Sequence, residues 1–484
     1  MSFSPTPEQL AVVEAARSTS DNLILTALAG AAKTSTLILI AEALPKTSIL
    51  SIAFNKAIAV EMKERLPSNC TSTTLNSLGH RMWGATLGKR LTLDTKKGFE
   101  NLSGLINQLS GDDKRAAYDR FSDLLKFVEQ GKSCGFIPDG YSDKAKPLFT
   151  TQEFLDVQLD EELSDLEADL IVNATRMSLD QAFAGRIDFN DQLLLPTVFP
   201  ASFDRYPLVM IDESQDLSAL NHAMLKKLAK QRIIAVGDRH QAIYGFRGAH
   251  QNSMDQLKKT FNMAEFSLTV TFRCPISVVE AARFRAPAMQ YPEWAKPGEV
   301  RKLPAWSADD IPDGAAIICR NNAPLFSTAL NLIRASRYPE LKGNDIIKGL
   351  VKILSKFGPP SLSQDDALEA AARWREKRLK KVKGDAAGPV WDQHACLVTL
   401  IEQGPTLSDA IIFAEHLSSA SGTVKLMTGH KSKGLEFDHV FFLDEELCRD
   451  REQDKNLRYV IMTRAKSTLT YINSATYGVS NADR

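Results

Sequence analysis

The chain has 484 residues, of which 44% are hydrophobic and 24% charged. That length suggests roughly three or four units of about 100–200 residues each, and the composition excludes wholesale disorder. Lys plus Arg and Asp plus Glu both number 59, so net charge is zero; this excludes a globally basic, histone-like nucleic-acid binder but not a local basic groove.

The six cysteines form no C-x-x-C pair, which supports neither a zinc ribbon nor a disulfide scaffold and points to a reducing compartment. The start, MSFSPTPEQL, lacks the basic and apolar regions of a signal peptide. No apolar run approaches the roughly 20 residues that span a bilayer. A soluble intracellular protein without a membrane partner is expected.

In chain order, the apolar runs LILTAL (23–28), SILSIAF (48–54), PLVMID (207–212) and RIIAVGD (232–238) each precede a turn or helix signal. They predict buried strands of a parallel sheet in an α/β domain. GAAIICR (314–320), TVKLMT (423–428), HVFFLDE (439–445) and LTYIN (469–473) predict a second sheet of similar design. Residues 81–186 and 335–420 have mainly helical patterns, the first with an acidic block at 160–170 and the second with a basic helix at 367–383 followed by the loop GDAAGP. A solvated face and a phosphate-contacting surface both fit that basic helix.

The run LILTAL continues into AGAAKTSTLILI. A strand, a small-residue turn and a helix opening at Lys33-Thr34 is the setting of a phosphate-binding loop. The backbone N–H groups of Ala29, Gly30, Ala31, Ala32 and Ser35 would cradle phosphates of ATP. Lys33 would reach the β/γ-phosphates and Thr34 would ligate Mg2+. Ala27 and Ala32 stand where the G-x-x-x-x-G-K-[ST] pattern has glycines. An ordinary strand-to-helix turn competes with this reading. Alanine at 32 costs roughly 1 kcal/mol if the backbone there is left-handed.

PLVMIDESQD places Asp212 and Glu213 at the end of an apolar strand. Adjacent carboxylates there are costly unless they hold a cation or do chemistry. Asp212 fits a magnesium partner and Glu213 a base acting on the attacking water. In VGDRHQAIYGFRGA, Gln241 is a candidate γ-phosphate sensor. Tyr244 and Phe246 beside Arg247 suit stacking on single-stranded bases, with core packing as the competing role for both aromatics.

Together these segments resemble a superfamily 1 helicase of the UvrD/Rep type, in wording nearest the F-box DNA helicase branch, with no F-box present. PTPEQLAVVEA resembles the family's adenine-reading segment, IAFNKAIAVEM and TTLNSLGH its next two motifs, and LTVTFRCP, LMTGHKSKGLEFDHVFFLD and NLRYVIMTRAK its last three. The resemblance implies two RecA-like P-loop NTPase domains (1–80 with 187–275, and 276–334 with 421–484) and helical insertions at 81–186 and 335–420. It implies that Gln9 contacts the adenine, Phe272 stacks on it, and Gly434 and Glu436 lie near the nucleotide. Arg273 and Arg464 would be arginine fingers. Phe54, Asn55, Lys56, Asn76, Thr428, His430 and Lys431 would lie along the DNA. The implied activity is an ATP- and Mg2+-dependent DNA helicase or translocase moving 3′ to 5′, with single-stranded DNA and duplex junctions as partners. Two alternatives stay open: a nucleotide-dependent DNA-binding module without effective hydrolysis, suggested by Ala27 and Ala32, and a motor that remodels protein–DNA complexes without unwinding.

Overall fold

The computed structural model describes residues 4–159, 163–243, 252–342, 344–380, 387–419 and 421–478. The chain divides into a unit of Met1–Ala27 with Ala32–Leu268, and a unit of Leu28–Ala31 with Thr269–Arg484. The first ends at Leu268, ahead of the expected 275, so Phe272 and Arg273 fall in the second.

The first unit is built on a parallel sheet. Its strands are β1 (Leu23–Ala27), β2 (Ile49–Ile52), β3 (Cys70–Thr73), β6 (Tyr206–Ile211), β7 (Ala229–Gly237) and β8 (Ala264–Leu268), in the order β3-β2-β6-β7-β1-β8; β4 (Thr92–Leu93) and β5 (Arg186–Ile187) pair separately. The four expected runs are the central strands. Both faces of such strands are covered, so side chains such as Ile24, Leu50, Val209 and Ile234 are wholly buried. The edges, CTST in β3 and AEFSL in β8, are polar and partly exposed, which is why no apolar run announces them.

The segment 81–186 is mainly helical, as expected. Its long helices, Lys97–Gln108, Phe121–Cys134 and Asp165–Phe183, close over their own core of Leu102, Ile106, Leu124 and Ile171, where Phe136 stacks on Phe154 at 4.5 Å. Ser164 and Glu167 form a capping box at the last of these helices, so part of the acidic block does helix-capping work.

The base of this segment holds a buried ionic cluster. Lys97 Nζ lies 2.5 Å from Asp191 and Lys132 Nζ 2.6 Å from its other carboxylate oxygen, with Asp188 also bound to Lys132. Burial pushes the Lys97 ammonium below its ordinary pKa, against the pull of Asp191, while Lys132 and Lys97 help hold the Asp188 carboxyl below its own despite burial.

The second unit has a parallel sheet of β9 (Glu299–Lys302), β10 (Ala316–Cys319), β11 (Pro339–Leu341), β12 (Val424–Thr428), β13 (Phe437–Leu443) and β14 (Ala465–Ile472), ordered β11-β12-β10-β13-β14-β9. Edge strand β11 lies inside the segment expected to begin a separate insertion at 335. The helices after it are not separate either: Leu350, Leu354, Ala371, Leu397 and Ala410 share one apolar core with Ile317, Leu426 and Phe441 of the sheet. The basic helix is Gln364–Leu379; Lys381 and Lys383 lie outside the described residues. Ala387 to Pro389, expected as loop, open the helix Ala387–Ile401, where proline is tolerated in the first turn.

Candidate functional site

β1 delivers the chain into the turn before helix Lys33–Ala43, whose N-cap is Ala32 with no side-chain capping bond. No side chain of the N-cap residue competes for the first-turn N–H groups, the arrangement in which a helix start can receive an anion. Ala32 has φ 56 and ψ 41, a left-handed backbone in which a Cβ is strained. Gly30 is left-handed as well, at φ 73, and there glycine meets the need. Ala27 is different: it is a fully buried residue of β1 and is absent from the positive-φ positions. Only one of the two alanines therefore sits where the loop pattern's glycine matters for the backbone.

β6 carries the acidic pair to the same place in the first unit. Thr34 Oγ1 donates to Asp212 Oδ2 at 3.1 Å, and Lys33 Nζ stands 3.3 Å from Glu213 Oε1. The Glu213 N–H donates to Asp212 Oδ1 at 2.8 Å. Asp212 is 6% exposed; burial, then the neighbouring Glu213 charge, push its carboxyl up to about 6. Glu213 itself has φ 53, a second strained backbone beside the first. Such strain clusters where a side chain must be aimed rather than merely packed.

A hard oxygen pair of one carboxylate and one hydroxyl fits Mg2+, which keeps several waters and takes the rest of its ligands from phosphate. Among the described residues there is no group of three or more His, Cys, Asp or Glu that could hold a metal ion by itself. The end of β13 offers a contrast. Asp444 also has a left-handed backbone, φ 50, but its carboxylate accepts the N–H and hydroxyl of Ser474 at 2.7 and 2.8 Å and is spent on structure.

Gln241 is buried just past β7 and its side-chain amide donates to Asp238 at 2.7 Å. Tyr244, Phe246 and Arg247 lie outside the described residues. Gln9 is 1% exposed. Its oxygen accepts the Thr6 N–H at 3.0 Å and its nitrogen donates to Thr36 Oγ1 at 2.9 Å. The amide expected to read adenine thus bonds at both its oxygen and its nitrogen, tying helix Pro7–Ser18 to helix Lys33–Ala43.

Among the residues expected along DNA, Phe54, Asn55 and Lys56 are exposed, and Asn55 caps helix Lys56–Arg65 through a bond from the Ile58 N–H. Asn76 turns inward, donating to the Phe189 carbonyl at 2.9 Å and to Gln192 at 3.1 Å. Phe189, which the sequence reading passed over, is 55% exposed. Its only sequence signal is an aromatic set between Asp188 and Asn190, away from any apolar run.

In the second unit, three separate motifs converge. Arg273 Nε donates to Glu436 Oε2 at 2.8 Å. Arg464 is 1% exposed and donates to the carbonyls of Val460 and Leu435 at 2.8 and 3.1 Å. Gly434 has φ 83 with open space where a Cβ would stand. Gly429 has no such room, since Ile461 and Leu457 lie 2.8 Å from that point; it lets the short helix Gly429–Ser432, which carries His430 and Lys431 and follows Thr428, pack close. Phe272 stacks on Trp294 with centroids 6.2 Å apart. Both line a cavity of about 270 Å³ together with Arg273, Lys296, Asp438 and Lys466. Trp294, 67% exposed, is another residue the sequence reading missed.

The family model for the UvrD/REP helicase N-terminal domain matches residues 6–262, and that for the UvrD-like helicase C-terminal domain matches 423–471. The chain is 24% identical to F-box DNA helicase protein 1 of Schizosaccharomyces pombe, covering 96% of this chain and 57% of that protein. It is 27% identical to F-box DNA helicase 1 of Gallus gallus, over 92% and 46% of the two chains. It is 26% identical to the ATP-dependent DNA helicase PcrA of Bacillus subtilis, over 56% and 38%. The chain thus spans about half the length of the F-box relatives it matches.

Proposed function

The chain belongs to the UvrD/REP helicase family, and from that premise we propose that it is an ATP-dependent, magnesium-requiring motor on single-stranded DNA that moves 3′ to 5′ and opens duplex junctions. The observation that carries the reading is the meeting of Lys33 with Glu213 and of Thr34 with Asp212, at 3.3 and 3.1 Å. Lys33 and the first-turn N–H groups bind the β/γ-phosphates. Thr34 and Asp212 hold Mg2+, which when bound neutralises charge on the phosphate oxygens. Glu213 orients the attacking water and takes up its proton, and Gln241 senses the γ-phosphate. Arg273 and Arg464 stabilise the charge on the transferring phosphoryl group, a contribution of about 10³–10⁵ in rate for such fingers.

Exposed Phe54 and Phe189 supply sequence-tolerant stacking on bases. Lys56, Thr428, His430 and Lys431 contact the DNA backbone. Gln9 contacts the adenine and Asn76 lies along the DNA through the amide hydrogen-bonding capacity that their bonds within the protein leave unused. Among the described residues no helix is long and apolar enough to cross a membrane.

ATPase assays with and without single-stranded DNA, beside a Lys33→Ala control, test the proposal; hydrolysis that ignores both DNA and the substitution refutes it. A nucleotide-dependent module with weak hydrolysis is a second reading, favoured by the strained Ala32; DNA-stimulated phosphate release rules it out. Strand displacement on a 3′-tailed duplex separates unwinding from translocation alone.

A further inference from the structure

Gln215 is 2% exposed and uses both ends of its amide. Its nitrogen donates to Glu213 Oε2 at 2.5 Å, and its oxygen accepts the Asp238 N–H at 3.0 Å. Asp238, fully buried, passes the connection on: its carboxylate accepts the Gln241 side chain at 2.7 Å and the His240 N–H at 3.0 Å. Close packing leaves little slack, because a Cβ on Gly237 would stand 2.5 Å from Gln215 Oε1 and 2.7 Å from Ser214 Oγ.

The two oxygens of Glu213 therefore have different partners. Oε1 faces Lys33 and Oε2 faces Gln215. On the proposed reading Lys33 turns to phosphate when nucleotide binds, while Gln215 remains. The terminal torsion of a glutamate is soft, so a retained donor on Oε2 decides where the carboxylate points. Catalysis by an oriented base is sensitive to such small misplacements.

We infer that Gln215 is a positioning residue: it aims the Glu213 carboxylate at the attacking water and couples that aim, through Asp238, to the turn that carries Gln241. The inference rests on the proposed ATPase reading. Wild-type protein and the Lys33→Ala control test that reading first; absence of DNA-stimulated hydrolysis in the wild type would overturn both.

With hydrolysis established, Gln215→Leu removes the donor and the acceptor, and Gln215→Met keeps the length of the side chain, uncharged, with no N–H to donate. Loss of a hydrogen bond to a charged group corresponds to a fall in kcat of roughly 10- to 100-fold. Both variants are expected to show it, with KM for ATP little changed and Gln215→Met, the closer match in shape, retaining more of the melting temperature. A structural role alone would make activity follow melting temperature instead. Combining Gln215→Leu with Gln241→Ala should lower kcat by less than the product of the single losses, as for two links of one chain. Wild-type kcat in Gln215→Met, or fully multiplicative losses in the double variant, would overturn the inference; should Gln215→Leu fail to fold, Gln215→Met decides it alone.

Discussion

The two alanines at the phosphate-loop glycine positions should respond to glycine in opposite directions. At Ala32 (φ 56) an L-residue carries about 1–2 kcal/mol of left-handed strain. Glycine releases it, while its greater freedom in the unfolded chain takes back about 0.4–1 kcal/mol. Ala32→Gly should therefore stabilise the protein by about 0.5–1 kcal/mol, a rise of roughly 1–4 °C in the first unit's transition. Ala27 is fully buried in β1, whose Ala27 pairs with Leu268 of β8. Ala27→Gly forfeits a buried methyl, about 0.8 kcal/mol, and adds about 0.5–1 kcal/mol of strand entropy, so it should destabilise by about 1.5 kcal/mol. Urea titration and calorimetry of both variants measure the signs, and an ATP-binding titration shows whether losing the Ala32 methyl eases phosphate approach. Shifts of the same sign would refute the backbone argument.

Glu213→Gln should abolish turnover while nucleotide still binds, read by equilibrium binding beside single-turnover phosphate release; persistent hydrolysis contradicts the base assignment. Asp212, raised to about 6 by burial and by Glu213, favours its neutral form in the folded state. Its contribution is thus full below the unfolded carboxyl value and is lost as pH rises through about 6. In divalent-free buffer Asp212→Asn should then raise the melting temperature more at pH 7 than at pH 4, and an equal effect at both would count against that ionisation. Lys132→Met takes the cation from Asp188 and leaves Lys97 alone against two carboxylates and should cost about 3–5 kcal/mol in urea unfolding; a loss under about 1 kcal/mol, the scale of surface pairs, would mean the cluster is solvated.

The central strands were legible because parallel strands covered on both faces must be continuously apolar. LILTA, ILSI, YPLVMI and AIIC are all of this kind. The edge strands β3, β8, β9 and β11 were not, since a half-exposed edge tolerates polar residues such as those of EVRK. For β11 length adds to this: at three residues it is too short to register against the helices around it.

Local chemistry made Lys33, Thr34, Asp212 and Glu213 candidates from the sequence, because each follows directly on the strand or opens the helix that carries it, and the fold brings them within 3.3 Å of one another in pairs. Tertiary structure alone decided the rest. It engaged the amides of Gln9 and Asn76 inside the protein, brought Arg273 to Glu436, left Phe189 and Trp294 facing outward, and set Gln215 between Glu213 and Asp238. Each of these outcomes depends on partners brought from another element or on what remains uncovered, and neither leaves a period or a spacing along the chain.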